Sequence, residues 1–468
     1  MGLKVCVLQP DYSTTAVDYQ YYDPIRQLAP LLPDATVDTV LLNKLTTYKQ
    51  LQALKSEHYD IFVNLCEGYL NWEVPSIDVI HSLELLNLPY TGPTATLYDP
   101  PKELMKYVAY CEGIPSPAYH LIGSIAEAET IGEKADYPIF IKPAKAGDSL
   151  GIDHGSLVHN KAGLMKKVND IIQSYPELLL EEYIAGREFT VLVAANPDGR
   201  SCRSFKPVEY VFPEGFAFKT YALKTAELHP GANIPCTDPV LEKELRKAAE
   251  KIFNCFGGKG YARMDFRVKE DNSIYFLEVN FTCSVFYTDG YEGSADFILK
   301  FDEIGQSGFL QHIIEEGMAR HARKQKAYVL RGNSISGFGI YALRPIKKNE
   351  CLYQGEERAT RVVTKKHVAA HWTQEEQVRF RQYAYPLGGD AYAFWDADPG
   401  EWAPQNHSCD ANTMMEGLNM IASRDIAIGE ELTLDYGLFL DKEMEPFQCQ
   451  CGSAQCRGII KGIEKKML

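Results

Sequence analysis

The stretch Asn406-His407-Ser408-Cys409-Asp410-Ala411-Asn412, taken together with residues 449–456 (CQCGSAQC), decides the fold of the C-terminal third of the chain. Cys449, Cys451 and Cys456 are too closely spaced for a finger of two separated pairs, and three clustered thiolates need a fourth ligand. Cys409 is the available candidate. The pattern predicts a four-cysteine zinc site that is closed and therefore structural, with four unrelated buried thiols as the alternative.

Two further motifs accompany this stretch in a fixed order. Residues 336–342 (SGFGIYA) carry a Gly-x-Gly turn, and residues 429–437 (GEELTLDYG) follow the Asn-His pair. With the cysteine tail, these motifs resemble the SET-domain lysine methyltransferases that have a post-SET zinc tail. The resemblance spans about residues 330–460, and it implies transfer of a methyl group from S-adenosylmethionine to lysine.

The resemblance also implies a set of site residues. Gly337 and Gly339 would line the pocket for the methyl donor, and Asn406 and His407 would contact the adenine and amine portions of S-adenosylmethionine. Tyr436 would be the active-site tyrosine beside which a deprotonated lysine attacks, with a core aromatic as its alternative role. Alignment of amine, methyl group and sulfonium would supply most of the rate effect.

The sequence does not specify which substrate this region would bind. Five aromatic residues are candidates for a lysine channel, because aromatic faces favour alkylammonium groups, although each is equally compatible with a core position: Tyr353, Tyr385, Tyr392, Phe394 and Trp395. The insert between Val362 and Asp390 is short and carries a charged helix. The resemblance implies that this insert recognises the protein or peptide substrate, so the target is open. Residues 402–405 (WAPQ) also replace the Arg-Phe-Ile usual in the family.

In the N-terminal two thirds, residues 137–151 (YPIFIKPAKAGDSLG) read as a strand that presents Lys142, followed by a small-residue loop. Gly147, Ser149 and Gly151 would let backbone N–H groups approach phosphate oxygens that the lysine neutralises. A Gly-rich turn without a ligand is the alternative.

Acidic residues follow at the ends of two further apolar runs. In residues 178–188 (LLLEEYIAGRE), Glu181 and Glu188 are placed to accept hydrogen bonds from an adenine amine and ribose hydroxyls, or they are solvated carboxylates of a hinge. Residues 262–266 and 274–280 predict a β-hairpin turned at 270–273. Its alternation brings Asp265 near Glu278 and Asn280, and two carboxylates with an amide oxygen suit Mg²⁺.

Taken in this order, the three signals resemble the ATP-grasp superfamily, and specifically the D-alanine–D-alanine ligase-like carboxylate–amine ligases, over about residues 1–320. ATP would phosphorylate a carboxylate, and an amine would attack the acylphosphate. The resemblance implies these roles: Lys102, Lys142 and Ser149 on phosphates, Glu181 and Glu188 on the nucleoside, Lys224 in a mobile loop near the transferred phosphate, Asp265, Glu278 and Asn280 on Mg²⁺, and Arg263 on the developing negative charge of the acyl centre.

The substrate side of this half differs from the family. Residues 9–13 (QPDYS) replace a glycine-rich segment with an amine-binding glutamate, and residues 66–68 (CEG) replace a histidine segment. After Asn280, residues 281–285 (FTCSV) replace a turn that contains Pro and Gly. The small carboxylate and amine substrates are therefore open, whereas the ATP and Mg²⁺ residues are retained.

Composition limits the partners and the compartment. The net charge is −15, and the sequence from Lys326 onward contains 17 Lys and Arg and 19 Asp and Glu. Neither half of the chain is basic enough to predict direct nucleic-acid binding. The apolar runs are too short for a membrane span, and Met1–Gln9 lacks the layout of a signal peptide. We therefore expect a cytoplasmic or nuclear protein that is not secreted and whose 12 cysteines stay reduced.

The predicted fold class is multidomain. Apolar runs at residues 3–8 and 60–66 with intervening helices predict an N-terminal α/β layer (1–98), followed by an α+β ATP-grasp domain (99–325) that ends in an amphipathic helix over 296–325. A mainly β SET domain (326–445) and its zinc tail (446–468) complete the chain. Three hypotheses remain: a methyltransferase with a nucleotide-gated regulatory module, a bifunctional ligase and N-methyltransferase, and a binding module in which one or both halves are inactive.

Overall fold

The computed structural model describes residues 2–15, 23–68, 72–145, 150–215, 218, 230–333, 337–353, 360–395, 405–440 and 446–462. The chain divides into two compact units, Met1–Ala322 and Arg323–Leu468. The finer division into four domains stays a prediction. Among the described residues, no helix is long and apolar enough to cross a membrane.

The chain begins with a parallel three-stranded sheet. Its strands are β1 (Lys4–Pro10), β2 (Thr36–Leu42) and β3 (Ile61–Asn64), in the order β2-β1-β3. Helices α1 (Thr47–Leu54) and α2 (Ile77–Leu85) bury apolar side chains against one core with strands β1 and β3. The α/β layer expected from the apolar runs is thus confirmed.

A four-stranded antiparallel sheet follows helix α3 (Lys102–Cys111), with the strand order β4-β7-β5-β6. Its elements are β4 (Tyr119–Ile122), α4 (Ile125–Gly132), β5 (Ile139–Pro143), β6 (Leu157–Val158), α5 (Lys161–Ile171) and β7 (Leu178–Glu182). Ser124 and Asn160 begin the two helices, because each side chain accepts a backbone N–H of the first turn. The helices close one face of the sheet with a shared apolar core.

The larger sheet of this unit has the order β11-β10-β8-β12-β13, with β9 paired to β8. Its strands are β8 (Arg187–Ala195), β9 (Cys202–Ser204), β10 (Val208–Tyr210), β11 (Asn233–Pro235), β12 (Tyr261–Val268) and β13 (Ile274–Asn280). Helix α6 (Pro239–Cys255), capped by Asp238, packs its apolar side on one face. The opposite face buries Leu192, Ala194 and Tyr261 in a second apolar core, and the rest of that face carries polar side chains.

The closing helix predicted over 296–325 is two helices, α7 (Ser294–Phe301) and α8 (Gly305–Lys324). Asp302 has an extended backbone, and its carboxylate accepts the backbone N–H groups of Lys206 and Ile304. Gly305 then has a φ of +59°, a left-handed conformation that glycine adopts readily. The break therefore comes from a contact with a distant strand connection, which helical periodicity does not reveal.

The second unit is built from small sheets. They contain β14 (Tyr328–Asn333), β15 (Gly337–Ala342), β16 (Cys351–Tyr353), β17 (Thr360–Thr364), β18 (Tyr385–Gly388), β19 (Ala391–Trp395), β20 (Asn406–His407), β21 (Thr413–Glu416), β22 (Asn419–Ala422), β23 (Thr433–Leu434), β24 (Phe447–Gln448) and β25 (Ile459–Ile460). The orders are β14-β15, β16-β22-β21, β17-β19-β18, β20-β23 and β24-β25. Helix α11 (Tyr436–Phe439) follows β23 directly.

The insert contains two helices where one was predicted, α9 (Lys365–His371) and α10 (Gln374–Tyr383). The channel candidates Tyr392 and Phe394 pack with Phe380 in a core under these helices. Tyr353 packs against the main core, and Tyr385 is buried. The side chain of Trp395 lies outside the described part of the chain.

Candidate functional sites

The face of the larger sheet opposite helix α6 carries a group of polar side chains where β8, β12 and β13 pair. Side chains alternate along a strand, so Arg263, Asp265 and Arg267 of β12 share one face. The register places Asp265 opposite Glu278 and Arg263 opposite Asn280. The predicted proximity of the two carboxylates and the amide is thus confirmed.

Each carboxylate of this group is paired with a cation. Arg263 Nη2 donates to Asp265 Oδ2 at 3.2 Å, and Lys102 Nζ donates to Glu278 Oε2 at 3.1 Å. Burial opposes the charged form of Lys102, but Glu278 outweighs it and raises the pKa of this lysine. Asn280 Oδ1 accepts the Thr282 N–H at 2.9 Å. Carboxylate and amide oxygens are the hard ligands that Mg²⁺ prefers, so the donor set fits the predicted metal.

The smaller sheet contributes a buried ion cluster. Glu181 Oε2 lies 2.7 Å from Lys142 Nζ, and its Oε1 lies 2.6 Å from Lys106 Nζ. Burial by itself would raise the pKa of Glu181, but the two lysines outweigh it and hold the pKa below the ordinary value. Burial, together with the charge of Lys142, lowers the pKa of Lys106. The side chain of Glu181 therefore organises two cations, a role that sequence reasoning did not assign to it.

An open cleft joins these groups. Its lining includes most of the residues predicted for this half: Lys142, Glu181, Glu188, Arg263, Asp265 and Glu278. Arg267 also lines it and pairs with Glu188 at 3.0 Å, which keeps two opposite charges on the cleft wall. Ser149 and Lys224 lie outside the described residues, whereas Phe218 lines the cleft.

The carboxyl ends of β1 and β3 bear a polar cluster that sequence reasoning missed. The buried Arg26 donates to Glu67 at 2.9 Å and to the Leu65 carbonyl at 2.8 Å. Ser284 Oγ donates to the other Glu67 oxygen at 2.6 Å. Burial raises the pKa of Glu67 to about 7, although Arg26 opposes the shift. The sequence singled out residues 66–68 as unusual, but it gave no signal for Arg26.

In the second unit, Gly339 lies against the side chains of Asn406 and Glu431. A Cβ at this position would be 2.3 Å from Glu431 Oε1 and 2.9 Å from Asn406 Nδ2, so any side chain here would displace the ends of these two side chains. Asn406 Nδ2 donates to Glu431 Oε1 at 2.6 Å and to the Phe338 carbonyl at 3.0 Å. Gly337 begins β15 with a φ of +88°, and, its chain neighbours aside, no atom of the described residues lies within 4 Å of the position that its Cβ would take.

Parallel pairing of β20 with β23 brings the Asn-His pair to the start of α11. The Tyr436 N–H donates to His407 Nδ1 at 3.1 Å. Burial lowers the pKa of His407, which favours the neutral imidazole that this hydrogen bond requires. The Tyr436 hydroxyl donates to the Gln405 carbonyl. Asn406, His407 and Tyr436 are therefore held together by backbone pairing.

The four predicted cysteine ligands form one cluster. The Sγ atoms of Cys409, Cys449, Cys451 and Cys456 all lie within 4.8 Å of one another. Tetrahedral zinc with Zn–S bonds of about 2.3 Å would place thiolates about 3.8 Å apart, and Cys409 and Cys449 are separated by 3.9 Å. Among the described residues, this is the one group of three or more His, Cys, Asp or Glu with ligand spacing. The cluster fits a metal ion.

Comparison with known proteins identifies relatives of both regions. The family model "D-ala D-ala ligase C-terminus" matches residues 113–286, and the model "SET domain" matches residues 337–437. The D-alanine–D-alanine ligase of Bordetella petrii is 29% identical over 204 residues, which are 42% of this chain and 60% of that protein. The enzyme of Streptococcus thermophilus is 32% identical over 206 residues, or 57% of its length. The chain thus spans about three fifths of the curated relatives it matches.

Solved structures agree on the fold. The D-alanine–D-alanine ligase of Bacillus anthracis, crystallised with ATP, superimposes with a TM-score of 0.51 and 18% identity over 69% of this chain and 100% of that one. The VanG D-Ala:D-Ser ligase of Enterococcus faecalis gives 0.50 and 18%, over 68% and 100%. The predicted fold class, an ATP-grasp region followed by a SET domain with a cysteine cluster, is confirmed.

Proposed function

Given that residues 113–286 belong to the D-alanine–D-alanine ligase C-terminal family and residues 337–437 to the SET family, we propose a lysine N-methyltransferase that carries an ATP-dependent, carboxylate–amine ligase-like module. The methyltransferase assignment depends on one observation. Strand pairing between β20 and β23 brings Asn406 and His407 beside Tyr436, and the side chain of Asn406 lies against Gly339.

Each of these groups has a distinct role in the proposed transfer. S-adenosylmethionine supplies the methyl group when it is bound. Gly339 has no side chain and so lets Glu431 and Asn406 lie against its strand, and Asn406, fixed by two hydrogen bonds, would contact the donor. The hydroxyl proton of Tyr436 is donated to a backbone carbonyl. The hydroxyl oxygen can therefore accept a hydrogen bond from an incoming lysine amine. Rigid placement of the reacting groups supplies the rate enhancement.

Tritiated S-adenosylmethionine and a randomised peptide library with one fixed lysine test this assignment. We expect the zinc-loaded full chain to label lysine peptides, and Tyr436→Phe to lower the rate about 100-fold because an aligning group is lost. Glu278→Ala, in the other unit, is the matched control and should label peptides at the parent rate in ATP-free buffer. Equal rates for Tyr436→Phe and the parent would refute the role of this tyrosine.

The second activity is proposed from the cleft of the first unit. Lys142 and Lys102 would hold phosphates, Glu188 and the strand of Glu181 the nucleoside, and Asp265, Glu278 and Asn280 would hold Mg²⁺. Arg263 Nε is buried without a hydrogen-bond partner among the described residues. It can therefore donate a hydrogen bond to the negative charge that develops at an acyl centre. Ser149 and Lys224 are proposed from the family resemblance.

ATP hydrolysis distinguishes a working ligase from a regulatory module. Turnover that rises with added amino acids and disappears in Glu278→Ala would support ligation of a carboxylate to an amine. ATP binding without turnover, accompanied by a change in the methylation rate, would instead support a nucleotide-gated regulator. Absence of both ATP binding and methyl transfer would favour the third hypothesis, a binding module.

A further inference from the structure

Arg457 contacts both the cysteine cluster and the turn that holds Tyr436. It directly follows Cys456, and its backbone N–H donates to Cys409 Sγ at 3.4 Å. Its guanidinium group donates through Nη2 to Asp435 Oδ1. The same guanidinium lies over Gly437, where a Cβ would be 3.1 Å from Nη1. Arg457 therefore links the metal ligands, through its backbone, to the residues on either side of Tyr436, through its side chain.

Asp435 in turn fixes the geometry of the proposed methyl-transfer site. Its Oδ1 accepts the Gly437 N–H at 3.0 Å and thereby begins helix α11. The same oxygen lies 3.8 Å from His407 Nδ1, which accepts the Tyr436 N–H at 3.1 Å. A guanidinium on Asp435 holds the carboxylate in this position, because charged hydrogen bonds are about twice as strong as neutral ones.

We propose that Arg457 is a positioning residue that couples metal occupancy of the four-cysteine cluster to the geometry of His407 and Tyr436. A bound metal would hold Cys409 and Cys456 together, and both residues hold the backbone of Arg457 at its amide nitrogen, Cys456 through the peptide bond and Cys409 by accepting the N–H. Removal of the metal frees that backbone and withdraws the guanidinium from Asp435. For its effect on donor binding, the inference rests on the proposed role of His407.

A second route from metal to site is available, and the experiment must separate the two. His407 Nε2 lies 3.4 Å from Cys409 Sγ, so the cluster also contacts the imidazole directly. Coupling through this contact would not need Arg457. Removing the guanidinium while the metal remains bound distinguishes the routes, because only the Arg457 route then fails.

The test compares the parent full chain with Arg457→Met and Arg457→Lys, each with and without zinc. Arg344→Met is the matched control, because Arg344 is 48% exposed and pairs with Glu350 at 2.6 Å, while Arg457 is 42% exposed. Three quantities are measured: zinc per chain, the Kd of S-adenosylmethionine by calorimetry, and the NMR signal of ¹³C-labelled His407.

We expect Arg457→Met to keep one zinc per chain, to bind the donor about tenfold more weakly, and to lose little further affinity on chelation. The parent and Arg344→Met should bind normally and lose about tenfold on chelation, and Arg457→Lys should be intermediate. The His407 signal of zinc-loaded Arg457→Met should match that of the chelated parent.

Two results would overturn the inference. If Arg457→Met binds the donor like the parent and chelation still weakens it, the coupling runs through Cys409 alone. If Arg457→Met loses its zinc, the arginine stabilises metal binding by the cysteine cluster and does not transmit it to the site. A zinc-loaded parent that binds no donor would refute the proposed methyl transfer instead, and the His407 signal would still decide whether Arg457 couples the two sites.

Discussion

Glu181 lies between two lysines, with Oε2 2.7 Å from Lys142 and Oε1 2.6 Å from Lys106, and none of the three side chains is more than 9% exposed. Removing one partner of a buried ion group leaves uncompensated charge and costs about 3–5 kcal/mol. We expect Glu181→Gln to lower the free energy of unfolding by that amount, measured by urea denaturation. Glu177→Gln, whose partner Lys145 is 76% exposed, should change it by less than about 1 kcal/mol. Equal effects would contradict the buried cluster.

The Arg26–Glu67 cluster predicts a pH dependence of stability. Burial raises the folded-state pKa of Glu67 from 4.5 to about 7, so between these values the folded state binds more protons than the unfolded state. Stability contributed by this group is therefore present below pH 4.5 and lost as the pH rises toward 7. We expect Glu67→Gln to remove about 3 kcal/mol from the change in the free energy of unfolding across this window, measured by urea denaturation at several pH values.

Asp296 provides the control for that experiment. Burial raises its pKa to about 6, so it produces a slope of the same sign at lower pH, and this slope should persist in Glu67→Gln. Loss of the whole slope in Glu67→Gln would mean that Glu67 alone titrates. An unchanged slope would mean that Arg26 keeps Glu67 ionised in the folded state throughout.

Gly339→Ala should disrupt the proposed donor pocket without a general loss of fold. The new Cβ would lie 2.3 Å from Glu431 Oε1 and displace the carboxylate that holds Asn406. We expect the Kd of S-adenosylmethionine to rise about tenfold or more, since a hydrogen bond to a charged group is worth about 1.5–3 kcal/mol. Gly417→Ala, at a φ of +61° with open space around it, controls for backbone strain alone. Equal donor binding in both variants would refute the pocket.

Local patterns predicted those parts of the sites whose residues are joined by short segments. The β12–β13 hairpin could be predicted because its two strands alternate and a turn joins them, and this fixed Asp265 opposite Glu278. The cysteine cluster could be predicted because three of its ligands span eight residues. Its fourth ligand, Cys409, was found because a recognisable motif precedes it.

Contacts between distant segments were not predicted, because the hydrophobic periodicity of a sequence indicates local secondary structure and not which distant residues meet. Arg26 meets Glu67 across 41 residues and Val285 across 259. Likewise, the helix expected over 296–325 is interrupted where Asp302 accepts the N–H of Lys206, 96 residues away. Arg457 lies next to a predicted ligand, yet its partner Asp435 is identified only when the tail is folded back on the site.

Cys456→Ser tests whether the cysteine cluster is a structural zinc site. A serine hydroxyl is a poor replacement for a thiolate ligand, and the binding free energy of a structural metal is also folding free energy. We therefore expect the variant to hold less than one zinc per chain and to lower the Tm of the second unit by about 5 °C or more, measured by calorimetry. Cys351→Ser is the control, because Cys351 is exposed in the same unit and outside the cluster. Full zinc content and an unchanged Tm in Cys456→Ser would show that the four thiols do not act as one metal site.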